Sequence, residues 1–496
     1  MRKIVLLSLF ASVCGLVQAQ DFAGYRAGNY TGVNGVFFNP ASIADSRYRW
    51  DFNLFSVSTS VGNNQASFNL NNVTRSFNVD SLEEAVMGRN AGPSTGLVSV
   101  DLHGPALMFN AGSKASLALT TRARTMTNII DIEGRLVREL SDQADNGQYP
   151  YTITTREHMR LAVNSWTEFG LSYARVLSDK GLHFVKGGTT LKYLAGVANG
   201  YVNGNNFRGT LEENNATEGV HLTNATGRMA VGFGGVRISD FDAGKFTELQ
   251  STGFGVDLGL VYEFRPEHDA YMIYDEEGDF SRDVWRRDRN KYKARVGLAL
   301  LDIGGIKYDR DLQRSGAYDL DISGSERLSL DELEDVEIDD FNAYFKNHPQ
   351  FFTPVAGGAD ATYKVSLPTT LQLNVDYRLR GGLYVNLEGQ LPLTTGEKTG
   401  YDPRYYSTFT LTPRYEGRGF GLYVPVSHSG LTGLNMGTSL RLGPLFIGSG
   451  SVLTALLGNS KQADVHVGLR FGGLQKDKVK KAAKEERKEL KRLEEE

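Results

Sequence analysis

The chain has 496 residues, with 54 Lys+Arg, 58 Asp+Glu, 56 Gly, 13 Pro and one Cys. Its 40 % hydrophobic fraction is too high for a disordered chain and too low for a helical membrane protein. The formal net charge is −4, and the acid excess lies in the body from Gln20 to Gln475, a poor general binder of nucleic acid.

Taken in chain order, the first element is a leader. Arg2 and Lys3 precede an apolar run from Ile4 to Val17, and Val17-Gln18-Ala19 is a small-residue cleavage site. This pattern predicts a secretory signal peptide over 1–19 and a mature chain from Gln20; the run is too short to span a bilayer. Cys14 lies inside it, so the mature chain is expected to carry no disulfide and no thiolate metal site. The next segment, 20–49, is Gly-rich and ends in Phe37-Phe38-Asn39-Pro40-Ala41-Ser42. It is too irregular for a wall strand. It is expected to fold inward as a plug, with Phe37, Phe38, Asn39 and Pro40 as candidate plug or ligand residues; the alternative is a disordered leader.

From residue 50 to 472 strands dominate. About fourteen segments of eight to fourteen residues alternate, starting near Trp50, Pro105, Lys114, Ser165, His183, Gly253, Lys291, Pro368, Gly382, Tyr405, Gly419, Gly433, Pro444 and Ala463. Gly92-Pro93-Ser94-Thr95-Gly96 matches the pattern of a hydrolase elbow, but that elbow needs a strand before it and a helix after it. Here a Gly/Pro turn precedes a strand, so it reads as a turn. Long loops are expected at about 124–164 and 199–250. Phe254, Val256, Leu258, Leu260, Tyr262 and Phe264 alternate with Gly255, Asp257, Gly259 and Glu263.

Asp309 to Tyr363 breaks the rhythm. Asp319-Leu320-Asp321-Ile322-Ser323-Gly324 resembles half a calcium loop, but Leu330 stands where a bidentate Glu is required, so a polar turn is expected. An acidic helical insert is expected at about 329–346, from the spacing of Leu330, Leu333, Phe341, Tyr344 and Phe345. Leu371 to Leu379 and Leu383 to Gln390 are the clearest alternating pair, turned by Arg380-Gly381-Gly382. Asp257, Asp376, Arg378 and Glu388 fall on polar faces. Either they line a pore or substrate path, or they pair to hold a filled barrel together. The stretches 419–440 and 442–460 contain Gly, Pro, Ser and Asn throughout and read as paired strands, not spanning helices. Val465, Val467, Leu469 and Phe471 form the last apolar face. A charged tail, 473–496, follows and is expected to be periplasmic.

Many of these segments exceed the usual ~5–6 residues of a soluble strand and approach the ~9–11 that cross a bilayer. Their polar faces carry full charges mid-strand, while the apolar faces carry none. The expected fold is therefore all-β: a transmembrane antiparallel barrel of about fourteen strands with a lipid-facing apolar wall, a wet lumen and an N-terminal luminal plug. With the leader, that predicts the outer membrane of a Gram-negative bacterium.

Asn29 to Ser42, Leu191 to Gly200 and the closing Val465 to Phe471 carry a resemblance over residues 20–472. The chain resembles the long-chain fatty-acid channel (FadL-like) superfamily and, within it, an uncharacterised Bacteroidota family of outer-membrane barrels. The resemblance implies about fourteen strands and a luminal hatch. It also implies either passage or binding of a small apolar molecule, or a non-transporting accessory or scaffold role in an outer-membrane secretion or assembly complex. Val465, Val467, Leu469 and Phe471 resemble the C-terminal strand read by barrel-assembly machinery. No enzyme is expected, nor any cofactor or metal: the eight His are scattered without metal-ligand spacing. The expected partners are outer-membrane lipid, assembly machinery during biogenesis and an outer-membrane protein.

Overall fold

A computed structural model describes residues 21–70, 92–139, 149–155, 158–214, 219–240, 243–247, 250–273, 284–285, 287–334, 336–355, 360–394 and 399–475. The expected leader and most of the charged tail lie outside them.

Fourteen strands close into an antiparallel barrel. They are β1 (Tyr48–Asn63), β2 (Pro93–His103, resumed as Ala106–Ala111), β3 (Ala115–Glu133), β4 (Met159–Lys180), β5 (His183–Asn214), β6 (Ser251–Phe264) and β7 (Ala294–Asp309). They continue as β8 (Thr362–Ser366, resumed as Thr370–Arg380), β9 (Leu383–Pro392), β10 (Thr408–Glu416), β11 (Phe420–Tyr423, resumed as Val426–Ser429), β12 (Gly433–Met436, resumed as Thr438–Leu442), β13 (Leu445–Ser449) and β14 (Gln462–Leu474). Each pairs with its chain neighbour, and β1 closes the ring on β14, with Ser58 opposite His466 and Phe52 opposite Phe471. Every start read from the sequence falls on or beside one of these strands. Closure leaves no unpaired edge in the wall.

The period-2 pattern sorts the side chains as expected. On β8, Leu373, Val375 and Tyr377 face outward, while Asp376 is fully buried inside. The outward set forms an apolar belt around the ring, including Leu107 and Phe109, Leu171 and Tyr193, Phe254 and Leu258, Phe409 and Leu411, Ile447 and Phe471. A band that large far exceeds the few hundred Å² a water-soluble surface tolerates. Asp51, Asp101, Arg122, Arg124, Glu168, Asp257, Asp376, Arg414 and Arg470 point the other way and are buried.

Short turns at 112–114, 181–182, 381–382, 417–419 and 443–444 lie at one end of the barrel, together with the start of β1 and the end of β14. We call this the turn end and the opposite one the loop end.

The loop end differs from the sequence reading. β5 runs for 32 residues and β4 for 22. The stretches 124–164 and 199–250, expected as loops, are largely strand. The lower half of β5 pairs with β6 up to Gly196–Ser251, and from Ala198 onward it pairs with a further strand, Gly219–Gly235. That strand pairs with Gly316–Ile322, which pairs with Phe352–Pro354. Register shifts beside Arg208 and positive φ at Asn206 and Asn224 break the alternation that would have betrayed these strands. Asp319 to Ile322 is part of a strand and not a turn; Gly324 and Ser325 make the turn. The acidic insert is two short helices, Asp331–Glu334 and Phe341–Asn347, separated by a 3₁₀ turn at Ile338–Asp340. Leu211, Leu222, Phe233, Leu320, Phe345 and Phe352 join in one apolar core under this extension.

Candidate functional site

The N-terminal segment supplies the centre of the site. Asp21 to Arg47 forms three 3₁₀ turns, Tyr25–Ala27, Gly32–Phe37 and Pro40–Ile43, and shares no strand pairing with the wall among the described residues. Asn39 is extended and caps the third turn: its Oδ1 accepts from the Ala41 amide at 2.9 Å. Pro40 is the first residue of that turn, where its fixed φ fits and its missing N–H is not needed. The Asn39 Nδ2 donates to the backbone carbonyls of Leu260 and Leu298, at 3.3 and 3.2 Å.

This contact depends on glycines in the wall. A Cβ on Gly259 would stand 2.1 Å from Asn39 Oδ1, and one on Gly188 would stand 2.6 Å from the Pro40 carbonyl carbon. Gly188 on β5 and Gly259 on β6 thus make a flat landing for Asn39-Pro40-Ala41. Phe37 stacks on His103 at 3.8 Å between centroids, and Phe22 packs on His103, Phe446 and His466. Phe38 is half-buried, under the Arg26 guanidinium.

Polar ties join the segment to strands on all sides. Arg26 Nε meets Glu388 at 2.7 Å on β9, and its Nη2 donates to Gln372 at 3.0 Å on β8. The Asn29 amide donates to Glu416 on β10. Asn34 donates to Asn53 and Ser56 on β1. The Tyr30 carbonyl accepts from Arg470 on β14, which also pairs with Asp51.

Of the candidate luminal charges, three lie inside and one at the rim. Asp376 accepts from Arg414 at 2.6 and 2.7 Å and from the Tyr292 hydroxyl at 2.5 Å. Asp257 pairs with Lys192 at 2.8 Å. Glu388 pairs with Arg26. Arg378 shares the face of Asp376 but sits at the turn end, donating to the Tyr271 hydroxyl and the Gly381 carbonyl. Val465, Val467, Leu469 and Phe471 lie on the outer face of β14.

Sequence reading missed several participants. A band of charge crosses five adjacent strands: Arg124 on β3, Glu168 on β4, Lys192 on β5, Asp257 on β6 and Asp302 on β7. Asp302 reaches the lumen because β7 carries a bulge there, with φ +59°. From the loop end, residues 399–407 fold inward. Asn164 donates to the Tyr401 carbonyl, Asn128 to that of Arg404, and Arg124 to the Tyr405 hydroxyl. Tyr405 in turn donates to Asp21 at 3.2 Å, so this loop and the N-terminal segment touch within the barrel. The Asn/Tyr pairing could not be found by spacing, since its partners lie more than two hundred residues apart.

At the turn end, Asp45 is shared by Lys291, Arg265 and Arg47, at 2.9, 3.1 and 3.4 Å. Burial would raise this carboxyl, but the three cations hold it well below the usual carboxylate range. Burial lowers Lys291 to about 8 against the pull of Asp45, with Arg47 and Arg265 adding to the lowering.

An apolar outer wall, a charged inner face and a segment seated among the strands define the class: a transmembrane β-barrel with an occupied lumen. The chain belongs to the family of unknown function DUF5723, which matches residues 40–450. No curated protein matches it. Among solved structures it is similar to a Pseudomonas aeruginosa FadL homologue at 10 % identity and TM-score 0.42, covering 92 % of this chain and 98 % of that one. It is similar to the TodX monoaromatic hydrocarbon channel in a mutant form, at 8 % identity and TM-score 0.34, covering 90 % and 95 %. The translocator domain of the autotransporter NalP from Neisseria meningitidis follows at 9 % and 0.29, covering 86 % and 89 %.

Proposed function

We propose that the protein is a non-enzymatic outer-membrane barrel that binds or passes a small molecule, with Asp21–Arg47 as a movable plug. The observation that carries this reading is the way the segment is held. Side-chain ion pairs and single hydrogen bonds tie it to the wall, and no ladder does, so it can shift without unpairing a strand. Placement in an outer membrane is supported by the closed ring, the even strand number and the apolar belt. The turn end then faces the periplasm.

An apolar ligand is supported by a groove of about 670 Å³ on the outer wall, where β2 is interrupted at Gly104-Pro105. Phe52, Leu107, Leu119, Phe169, Leu191 and Phe254 line it, so a molecule dissolved in the membrane would meet the barrel there. A second reading, a non-transporting scaffold, is favoured by the Tyr405–Asp21 contact, which ties the inward-folded loop to the N-terminal segment.

Deleting residues 29–42 tests the two. The plug reading expects raised conductance in planar bilayers with the barrel folded by heat-modifiable mobility. Unchanged conductance in a folded barrel refutes the plug. Loss of a co-purifying outer-membrane protein, with conductance unchanged, selects the scaffold.

A further inference from the structure

Around Asp45 the charges do not balance. Arg47, Lys186, Arg265, Arg287 and Lys291 converge on the turn end of the lumen, against the carboxylates of Asp45 and Glu263. Among the described residues that leaves three cations in excess. They are strongly buried: Arg265 is fully covered and Lys291 and Lys186 nearly so. Arg287 reaches in from the segment between β6 and β7, its Nε 3.6 Å from Asp45.

Burying a cation without a counter-ion is expensive, and a guanidinium N–H sealed from water without an acceptor adds to the cost. Both occur here. Among the described residues, Arg47 Nη1, Arg265 Nη1, and Arg287 Nε and Nη2 are buried and have no hydrogen-bond partner. The Arg265 guanidinium stacks on Phe184, which partly accounts for its free nitrogen. Among the described residues no ring stacks on Arg47 or Arg287.

Beside them lies a cavity of about 100 Å³, between the N-terminal segment and β5 to β9. Arg47, Lys186, Lys291 and Arg295 line it together with the hydroxyl-bearing Ser42 and Ser46, and the Ser42 Oγ is also buried without a partner. Asp45, Glu263 and Glu388 line it as well, so the recognised group must be one that several cations can share.

We propose that this cavity is a binding site for a small oxyanion of the phosphate class, held by Arg47, Lys291 and Lys186 at the turn end of the barrel. A tetrahedral oxyanion supplies acceptors in several directions at once, which suits guanidinium forks arriving from different elements. An anion there would offset part of the excess charge and give the Arg47 Nη1 an acceptor. Its existence does not depend on whether the lumen conducts. A phosphate ester on a lipid and free phosphate share this chemistry, and the test separates them.

The experiment uses the full-length barrel in detergent, titrated calorimetrically with inorganic phosphate and, separately, with dihexanoyl phosphatidic acid. Binding of either at millimolar or tighter affinity, weakened at least tenfold in Arg47→Gln, is expected. Binding of inorganic phosphate identifies a free-anion site; binding of the phosphatidic acid alone identifies a headgroup site. Lys291→Gln, outside the strands, reads the same loss should Arg47→Gln fail to fold. Arg228→Gln, an exposed pair at the loop end, should bind as the native chain does. The proposal is overturned by absence of binding to both probes, or by folded Arg47→Gln and Lys291→Gln proteins that bind as tightly as the native one.

Discussion

Arg26→Ala should loosen the N-terminal segment while leaving the wall intact. The side chains of Arg26 and Glu388 are 6 % and 7 % exposed and meet at 2.7 Å. Removing one partner of a buried ion pair costs about 3–5 kcal/mol. Here the lower figure applies, because Glu388 lines a cavity where water can replace part of the lost contact. About 3 kcal/mol corresponds to a change on the order of 100-fold in the equilibrium between seated and displaced segment. Val36 is only 1 % exposed, so a thiol placed there by Val36→Cys reacts with a hydrophilic maleimide only when the segment leaves its seat. Where opening and closing are fast, the labelling rate follows the open population. Arg26→Ala should therefore speed labelling on the order of 100-fold in a barrel of unchanged heat-modifiable mobility. Adding Glu388→Ala should recover part of the loss, since the buried carboxylate is then gone as well. A labelling rate within threefold of the parent would refute the idea that this pair holds the segment.

Three further outcomes follow from the geometry. Gly259→Ala places a methyl against the Asn39 carboxamide and should raise the same labelling rate, whereas Gly417→Ala, with nothing within 4 Å of its added Cβ, should not. Asp376→Ala leaves Arg414, among the described residues, with Glu416 alone as ion-pair partner, at 3.3 Å, and should cost about 3–5 kcal/mol in urea unfolding from lipid vesicles. Phe345→Ala empties the loop-end core at a cost of about 3–5 kcal/mol and should expose residues 310–361 to protease while the barrel keeps its folded mobility.

The wall was readable because a bilayer and a wet lumen impose opposite chemistry on successive residues. Leu373-Asn374-Val375-Asp376 states that rule in four letters, and closure of the ring follows once every strand obeys it. Beyond the membrane the rule lapses. Gly219–Gly235 has one face on an apolar core and the other in water, and the register shifts in its pairing with β5 reset the phase, so it reads as loop. Within the site, the sequence offered Asn39 and Pro40 but not their seat. Gly259 looked like an ordinary polar-face position and Gly188 carried no signal of its own; the close approach of another backbone explains both. Asp302 was hidden by its bulge, because period-2 counting places it on the wrong face. The inward fold of residues 399–407 depends on Asn128 and Asn164, which no local pattern connects to Tyr401 or Arg404.

The long strand β5 has a mechanical consequence. At ~3.3 Å per residue, its 32 residues extend far past the ~9–11 needed to cross a bilayer, even when tilted. One unbroken backbone therefore belongs to the wall below Gly196 and to the outer sheet above Ala198. Force applied to the outer sheet, by a tethered surface or a docked macromolecule, is delivered along that strand as shear on its in-register bonds to β4 and β6. Shear loads many bonds at once, whereas peeling breaks them in turn. The outer sheet is thus built as a stiff mast rooted in the wall, able to carry load that a flexible loop of equal length would dissipate.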